Sequence, residues 1–314
     1  MNRVLAVIAS VTLLATAAIA GDRARDPVTA STPISFKLQL EASGTRFELR
    51  LSMGPRSNMN THLSHEQLGL DSRALEADGP VRFAIAREPG RLDCAGDAGK
   101  QIATGNCTFT PATEFARYLA GRGIGEPSFR ESLDLTMVGA NRTLVEALAQ
   151  ADYPKPTINQ LIALSALRVT PAYVADLARQ GFRPDNLEDL TAFAALGINA
   201  DYAGKMLRAG LGKLSGRNLI ELKALGVSPE FLSEMAGAGL RNLSADQAVQ
   251  LKAIGVTPAY VRELAAIGYV DLPANRLVEM KAVGVTAEDV RRARKIGIAR
   301  PTPDQLVQLR TLRN

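Results

Sequence analysis

The chain has 314 residues, of which 46% are apolar, 22% charged and 5% aromatic, with no tryptophan and a net charge of +5. That apolar share is enough to bury a core, and a sequence pI near 9.3 permits anionic partners without requiring them. So few aromatic rings argue against a surface built to stack sugars or bases.

Residues 1–20 read as a secretory signal peptide. Arg3 supplies the positive start, Val4 to Ala17 the apolar run, and Ala18-Ile19-Ala20 the small-residue cleavage site. The rival reading, an uncleaved membrane anchor, suffers because the run is short for a span. No cysteine follows the site, which argues against a lipoprotein. The expectation is a periplasmic or secreted protein with no membrane span once the signal is removed. Residues 21–33 lack periodicity and read as a flexible leader.

Residues 34–110 predict a small antiparallel β domain of about five strands. Phe36, Leu38 and Leu40 alternate with polar residues, as do Phe47, Leu49 and Leu51. A two-residue turn at Ser43-Gly44 pairs Leu40 with Phe47 and Leu38 with Leu49, which puts the apolar residues on one face. A polar loop with a short helix is expected over residues 54–80, then strands over 81–87, 91–94 and 101–110. Cys94 and Cys107, the only cysteines, flank a Gly-rich turn and predict a disulfide across neighbouring strands.

Residues 111–314 are organised by repetition. Gly197, Gly226, Gly255 and Gly284 are spaced by 29, and so are Gly181, Gly210, Gly239, Gly268 and Gly297. The first series extends back to Arg168 and Gly139, the second to Asp152 and Gly123. Such a period predicts an αα-hairpin solenoid of about seven 29-residue repeats, making the chain mainly α. Ser or Thr after the first glycine caps one helix, with Pro258 preset at its first position. Ser128, Thr157, Asn186, Ser215, Ser244 and Thr302 cap the other, several as capping boxes, with Pro273 the exception. Stripes such as Leu161/Leu164/Leu167, Leu190/Phe193/Leu196 and Leu219/Leu222/Leu225 are expected to be buried. Phe115, Leu144, Tyr173, Tyr202, Phe231 and Tyr260 form a further column that Asp289 breaks.

Candidate chemistry is sparse. His62 and His65 precede Glu66, but Gly69 stands where a zincin needs its second histidine, so no metal site is expected. The glycine–helix junctions resemble helix-hairpin-helix modules, yet their cap hydroxyls already occupy the N–H groups a phosphate would use. Nucleic acid is therefore a weak partner. No nucleophile–base pair or Gly-rich phosphate loop is found, so neither a catalytic residue nor a cofactor is expected. Lys223, Lys252, Lys281 and Arg310 form one column spaced by 29 at the ends of successive helices. They serve either to complement helix dipoles or as a basic ridge facing a partner.

Units such as LKAIGVTPAYVRELAAIGY and LKALGVSPEFLSEMAGAGL, with the segments VRFAIAREPGRLDCAGDA and NCTFTPATEFARYLAGRGI, resemble the extracytoplasmic C-terminal region of BlaR/MecR-type membrane metallopeptidases. The resemblance spans roughly residues 34–314 and lacks the peptidase domain and its zinc motif, so peptidase activity does not carry over. It implies a bacterial envelope protein. The resulting expectation is a non-catalytic scaffold or sensing module that binds an envelope protein. The alternative is a binder of an anionic polymer, cell wall or nucleic acid, through the basic column.

Overall fold

The computed structural model describes residues 29–54, 57–71 and 73–312. The expected signal peptide and most of the expected leader lie outside them. Among the described residues a six-stranded antiparallel sheet is followed by a long helical region, so the chain is mainly α with a small N-terminal β domain.

The strands are β1 (Ile34–Leu40), β2 (Arg46–Ser52), β3 (Asn58–Ser64), β4 (Gly79–Arg87), β5 (Gly90–Gly99) and β6 (Ile102–Pro111). Their order is β3-β2-β1-β6-β5-β4. Leu38 pairs with Leu49 and Leu40 with Phe47, the register the alternation predicts. The turn differs, because Glu41 N–H donates to Arg46 and leaves a four-residue loop in which Gly44 takes φ +70°. Strand β3 was not expected. Its residues, NMNTHLS, are polar because it is an edge strand that buries little beyond Leu63. The short helix α1 (His65–Leu68) follows at once, closed by a capping box from Ser64 and by Gly69 in the left-handed region.

One face of the sheet is buried under Phe36, Leu38, Phe47, Leu49, Phe83, Leu92 and Phe109. Phe36 covers Gly105, which pairs with Gly96, and meets Phe83 edge-on at 5.1 Å. A side chain at Gly105 would start 2.7 Å from that ring and 2.2 Å from the Ala95 carbonyl, so only glycine fits.

The helices are α2 (Thr113–Gly121), α3 (Phe129–Val138), α4 (Arg142–Gln150), α5 (Ile158–Ala166), α6 (Pro171–Arg179), α7 (Leu187–Ala195) and α8 (Ala200–Arg208). They continue as α9 (Gly216–Ala224), α10 (Pro229–Gly237), α11 (Ala245–Ile254), α12 (Pro258–Ala266), α13 (Ala274–Ala282), α14 (Ala287–Lys295) and α15 (Pro303–Thr311). Helix α3 lies on the buried face of the sheet. Its Leu133 and Met137 join the sheet's core, and Phe129 packs edge-on against Phe109 at 5.4 Å. Arg87 on β4 donates to the Thr136 and Met137 carbonyls, at 2.8 and 2.6 Å, and so caps α3 with a cation.

The expected punctuation is present. Ser128, Thr157, Ser244 and Thr302 form capping boxes, joined by Ser215 with Asn218. Gly226, Gly255 and Gly284 hold φ of +68°, +76° and +77°. Arg168 in that series and Asp152 in the second one hold +57° and +56° without being glycine. Tyr269 N–H reaches back to Leu264 and Gly268 N–H to Ala265, both at 3.0 Å, a Schellman stop.

The chain divides into two compact units, each taken here by itself. The first holds the sheet and the helices through Val174, with Asn186–Thr191. The second holds Ala175–Asp185 and the helices from Ala192 onward. In the first, α3 packs on α5; in the second, α9 packs on α11, α11 on α13, α13 on α15, and α10 on α12. In these pairs a helix meets its next-but-one neighbour, while α14 packs on the following helix, α15.

Candidate functional site

The basic column begins from a helical requirement. Lys223, Lys252 and Lys281 stand in the last turn of α9, α11 and α13, where the dipole favours a cation. Each lysine also has a ring. Lys223 Nζ lies 4.3 Å from the Tyr202 centroid, Lys252 Nζ 4.6 Å from Phe231, and Lys281 Nζ 4.6 Å from Tyr260. The sequence separation is 21 in every case. The two columns read separately from the sequence are therefore one device, a cation over the aromatic face of the preceding repeat.

The next member shows the rule by changing it. Where the ring would stand the chain has Asp289, and 21 residues on it has Arg310. These two form an ion pair at 3.4 Å. Burial opposes ionisation of Asp289, but hydrogen bonds from Thr286 Oγ1 and N–H, with the Arg310 charge, outweigh it and hold the carboxyl below its usual range. A cation stands in the second position in every case while the first changes from a ring to a carboxylate, so the contact is kept while its chemistry differs.

The tyrosines do a second job. Tyr202 donates to the Val227 carbonyl at 3.1 Å and Tyr260 to the Val285 carbonyl at 2.9 Å, each 25 residues on. Burial pushes both phenols up to about 12. These bonds tie helices α8 and α12 to the turns that precede α10 and α14.

Dipole complementation is thus only part of what the lysines do; they are half-buried and seated on rings. They are not neutralised, however. Among the described residues no carboxylate lies within ion-pair distance of Lys223, Lys252 or Lys281. The nearby carboxylates in the same helices are engaged elsewhere, Glu221 with Arg217 and Glu279 with Arg276.

The expected leucine stripes are corrected in their third member. Leu219 and Leu222 are fully buried, as are Leu161 with Leu164 and Leu190 with Phe193. Leu225, Leu196, Ile254 and Val283, at the helix ends, stay partly open, and Leu167 is 38% exposed. Leu225, Val283 and Leu167 are C-cap residues and Ile254 is the last residue of its helix, so at each of these ends the side chain turns off the apolar face.

The remaining candidates are accounted for locally. His62 Nδ1 lies 2.5 Å from Glu41 Oε1, while His65 Nε2 meets the Gly44 carbonyl at 3.1 Å and its ring abuts Phe47. Among the described residues no group of three or more His, Cys, Asp or Glu is placed to hold a metal ion. Cys94 and Cys107 sit directly opposite on β5 and β6, with their sulfurs at 2.01 Å, a disulfide. No single described helix is long and apolar enough to cross a membrane. Comparison with protein-family models and with curated proteins yields no match to this chain.

Proposed function

We propose that this chain is a non-catalytic scaffold or sensing module of the bacterial envelope, periplasmic or secreted, that binds a protein partner. In this reading residues 111–314 stack as an αα-hairpin solenoid of about seven repeats, comparable to the extracytoplasmic region of BlaR/MecR-type proteins. The recurrence of one inter-repeat contact carries the reading: a cation over a ring at a fixed separation of 21, renewed as an ion pair where the ring is lost. A surface kept in register over several repeats suits a long partner. A disulfide between adjacent strands is consistent with an oxidising compartment.

The alternative is an anionic polymer bound through the basic column, favoured by three ammonium groups without carboxylate partners. The chain immobilised on a resin and exposed to an envelope extract separates the two. The scaffold reading expects a protein that stays bound through washes of rising salt. Release of all bound material by moderate salt, with polysaccharide or nucleic acid in the eluate, would leave the polymer reading in its place.

A further inference from the structure

We infer that the ridge from Lys223 to Val283 docks an acidic, partly apolar segment of the partner protein, held extended with a carboxylate at every third residue. The inference rests on the scaffold reading and names what the scaffold holds.

The ridge alternates in character. Two residues along a helix are separated by about 200°, so Lys223 and Leu225 lie on opposite flanks of the same helix end. Lys252, on the next-but-one helix, reaches back until its Cε is 4.0 Å from where a side chain at Gly226 would begin, beside Leu225. Arg310 approaches Gly284 in the same way, at 3.7 Å. By these two approaches and the spacing of 29, the surface order is Lys223, Leu225, Lys252, Ile254, Lys281, Val283, then Arg310, although Lys281 does not come within 4 Å of the equivalent point at Gly255. Leu225, Ile254 and Val283 are each partly buried, and exposed Ala224, Ala253 and Ala282 keep the ridge low between them.

The charge run is also finite. At the column position before Lys223 the chain has Ala194, and after Lys281 the Arg310 charge is met by Asp289. Three unpaired cations remain. Their ammonium groups are already seated on rings, so little side-chain freedom is lost when a carboxylate arrives. A run of three suits a short acidic segment better than a long polyanion. The partly exposed apolar residues between the cations also offer a hydrated polymer backbone nothing to bury.

Spacing selects the conformation. Helices α9, α11 and α13 pack side by side, which sets their axes about 8–10 Å apart. A polyproline II segment has three residues per turn and rises about 3.1 Å per residue, so one face returns roughly every 9 Å. Carboxylates at every third position meet the three lysines, and the residues between them, turned about 120° to either side, meet Leu225 and Ile254 only along the edges of the segment. A β-strand would turn alternate members of that series away.

The test uses fluorescence anisotropy with the full mature chain and a labelled peptide of three Glu-Pro-Leu repeats. Controls are a Lys-Pro-Leu peptide, an isomer with the three glutamates in one block, and a hyaluronan hexasaccharide carrying three carboxylates. The spaced peptide is expected to bind, the Lys-Pro-Leu peptide not to bind, and the block isomer and hexasaccharide to bind more weakly. Lys223→Met with Lys252→Met and Lys281→Met keeps the apolar stem over each ring and is expected to weaken binding about tenfold or more. Ile254→Ser is expected to weaken it about threefold. Circular dichroism and unfolding midpoints check that both variants fold. Should the triple variant unfold, the Lys-Pro-Leu control and Ile254→Ser still decide. The inference is overturned if spaced and block peptides bind alike, or if the folded triple variant binds as well as wild type. It is equally overturned if the hexasaccharide competes fully and Ile254→Ser leaves both ligands unaffected, since the ridge would then read charge alone. Retention of a protein from extract by the triple variant would overturn this ridge while leaving the scaffold reading standing.

Discussion

At Lys252 three influences meet on one side chain: the dipole of α11, the face of Phe231 and the turn at Gly226. A dipole effect alone predicts a cost of a few tenths of a kcal/mol on removing the charge, in the range of about 0.3–1. The ring adds a term that depends on both partners. A double-mutant cycle with Lys252→Met and Phe231→Leu is expected to give a coupling of about 0.5–1 kcal/mol from urea unfolding. Additive costs would mean that the ring contact contributes nothing. The tyrosines in the same column make a pH prediction. Tyr202 and Tyr260 stay neutral up to about pH 12 when folded, whereas an unfolded tyrosine ionises near pH 10. The stability they contribute is therefore complete below pH ~10 and is lost as pH rises toward about 12. Tyrosinate absorbance should rise in two stages, with Tyr260→Phe reducing the late one. A single transition near pH 10, with the protein still folded, would contradict the burial. Both columns were legible in the sequence. Their pairing was not, because a separation of 21 acquires meaning only once the helices are side by side.

Among the elements, the helix stops were the most legible and the edge strand the least. A stop is written in local chemistry, as in Gly255, where φ of +76° excludes most side chains whatever surrounds it. Strand β3 is defined by its partner β2, and NMNTHLS, with Thr61 its single β-branched residue, lacks the apolar alternation that marks a strand alone. The partly exposed Leu225 column was misread for a related reason, since periodicity continues past the residue at which the helix ends. The stops allow a test with opposite signs. A side chain at Gly255 would meet nothing within 4 Å, so Gly255→Val measures backbone strain with no clash. It is expected to cost about 1–2 kcal/mol or more. Arg168 already stands in such a slot at φ +57°. Arg168→Gly should therefore stabilise the protein by about 0.5–1 kcal/mol, after the greater freedom of glycine in the unfolded chain is subtracted. Thermal unfolding of the two variants would show midpoints moving in opposite directions; a shift downward in both would mean that Arg168 holds its turn by contacts that outweigh the strain.

For the molecule taken whole, the question is whether stability is shared or local. In a stacked-repeat chain each repeat leans on its neighbours, and damage spreads by nearest-neighbour contacts. A chain with one shared core would instead lose protection everywhere at once. The packing of α11 on α9 and α13, and of α10 on α12, is the short-range pattern the first case requires. The sheet has its own core, completed by α3 and locked by the Cys94–Cys107 bridge, and among the described residues none of that core comes from beyond Met137. Gly255→Val, which ends α11 badly, should therefore raise amide exchange first in α11 and α12, then in α9 and α13. Strands β1, β2, β5 and β6 should keep their wild-type protection at the same temperature. Lys252→Met, on the same turn but without backbone strain, should raise exchange only at the end of α11 and in α10, where Phe231 loses its cation. Hydrogen exchange by mass spectrometry resolves both patterns. Equal loss of protection in the sheet and in α11 on Gly255→Val would show one cooperative core, and the reading of residues 111–314 as stacked repeats would then fail.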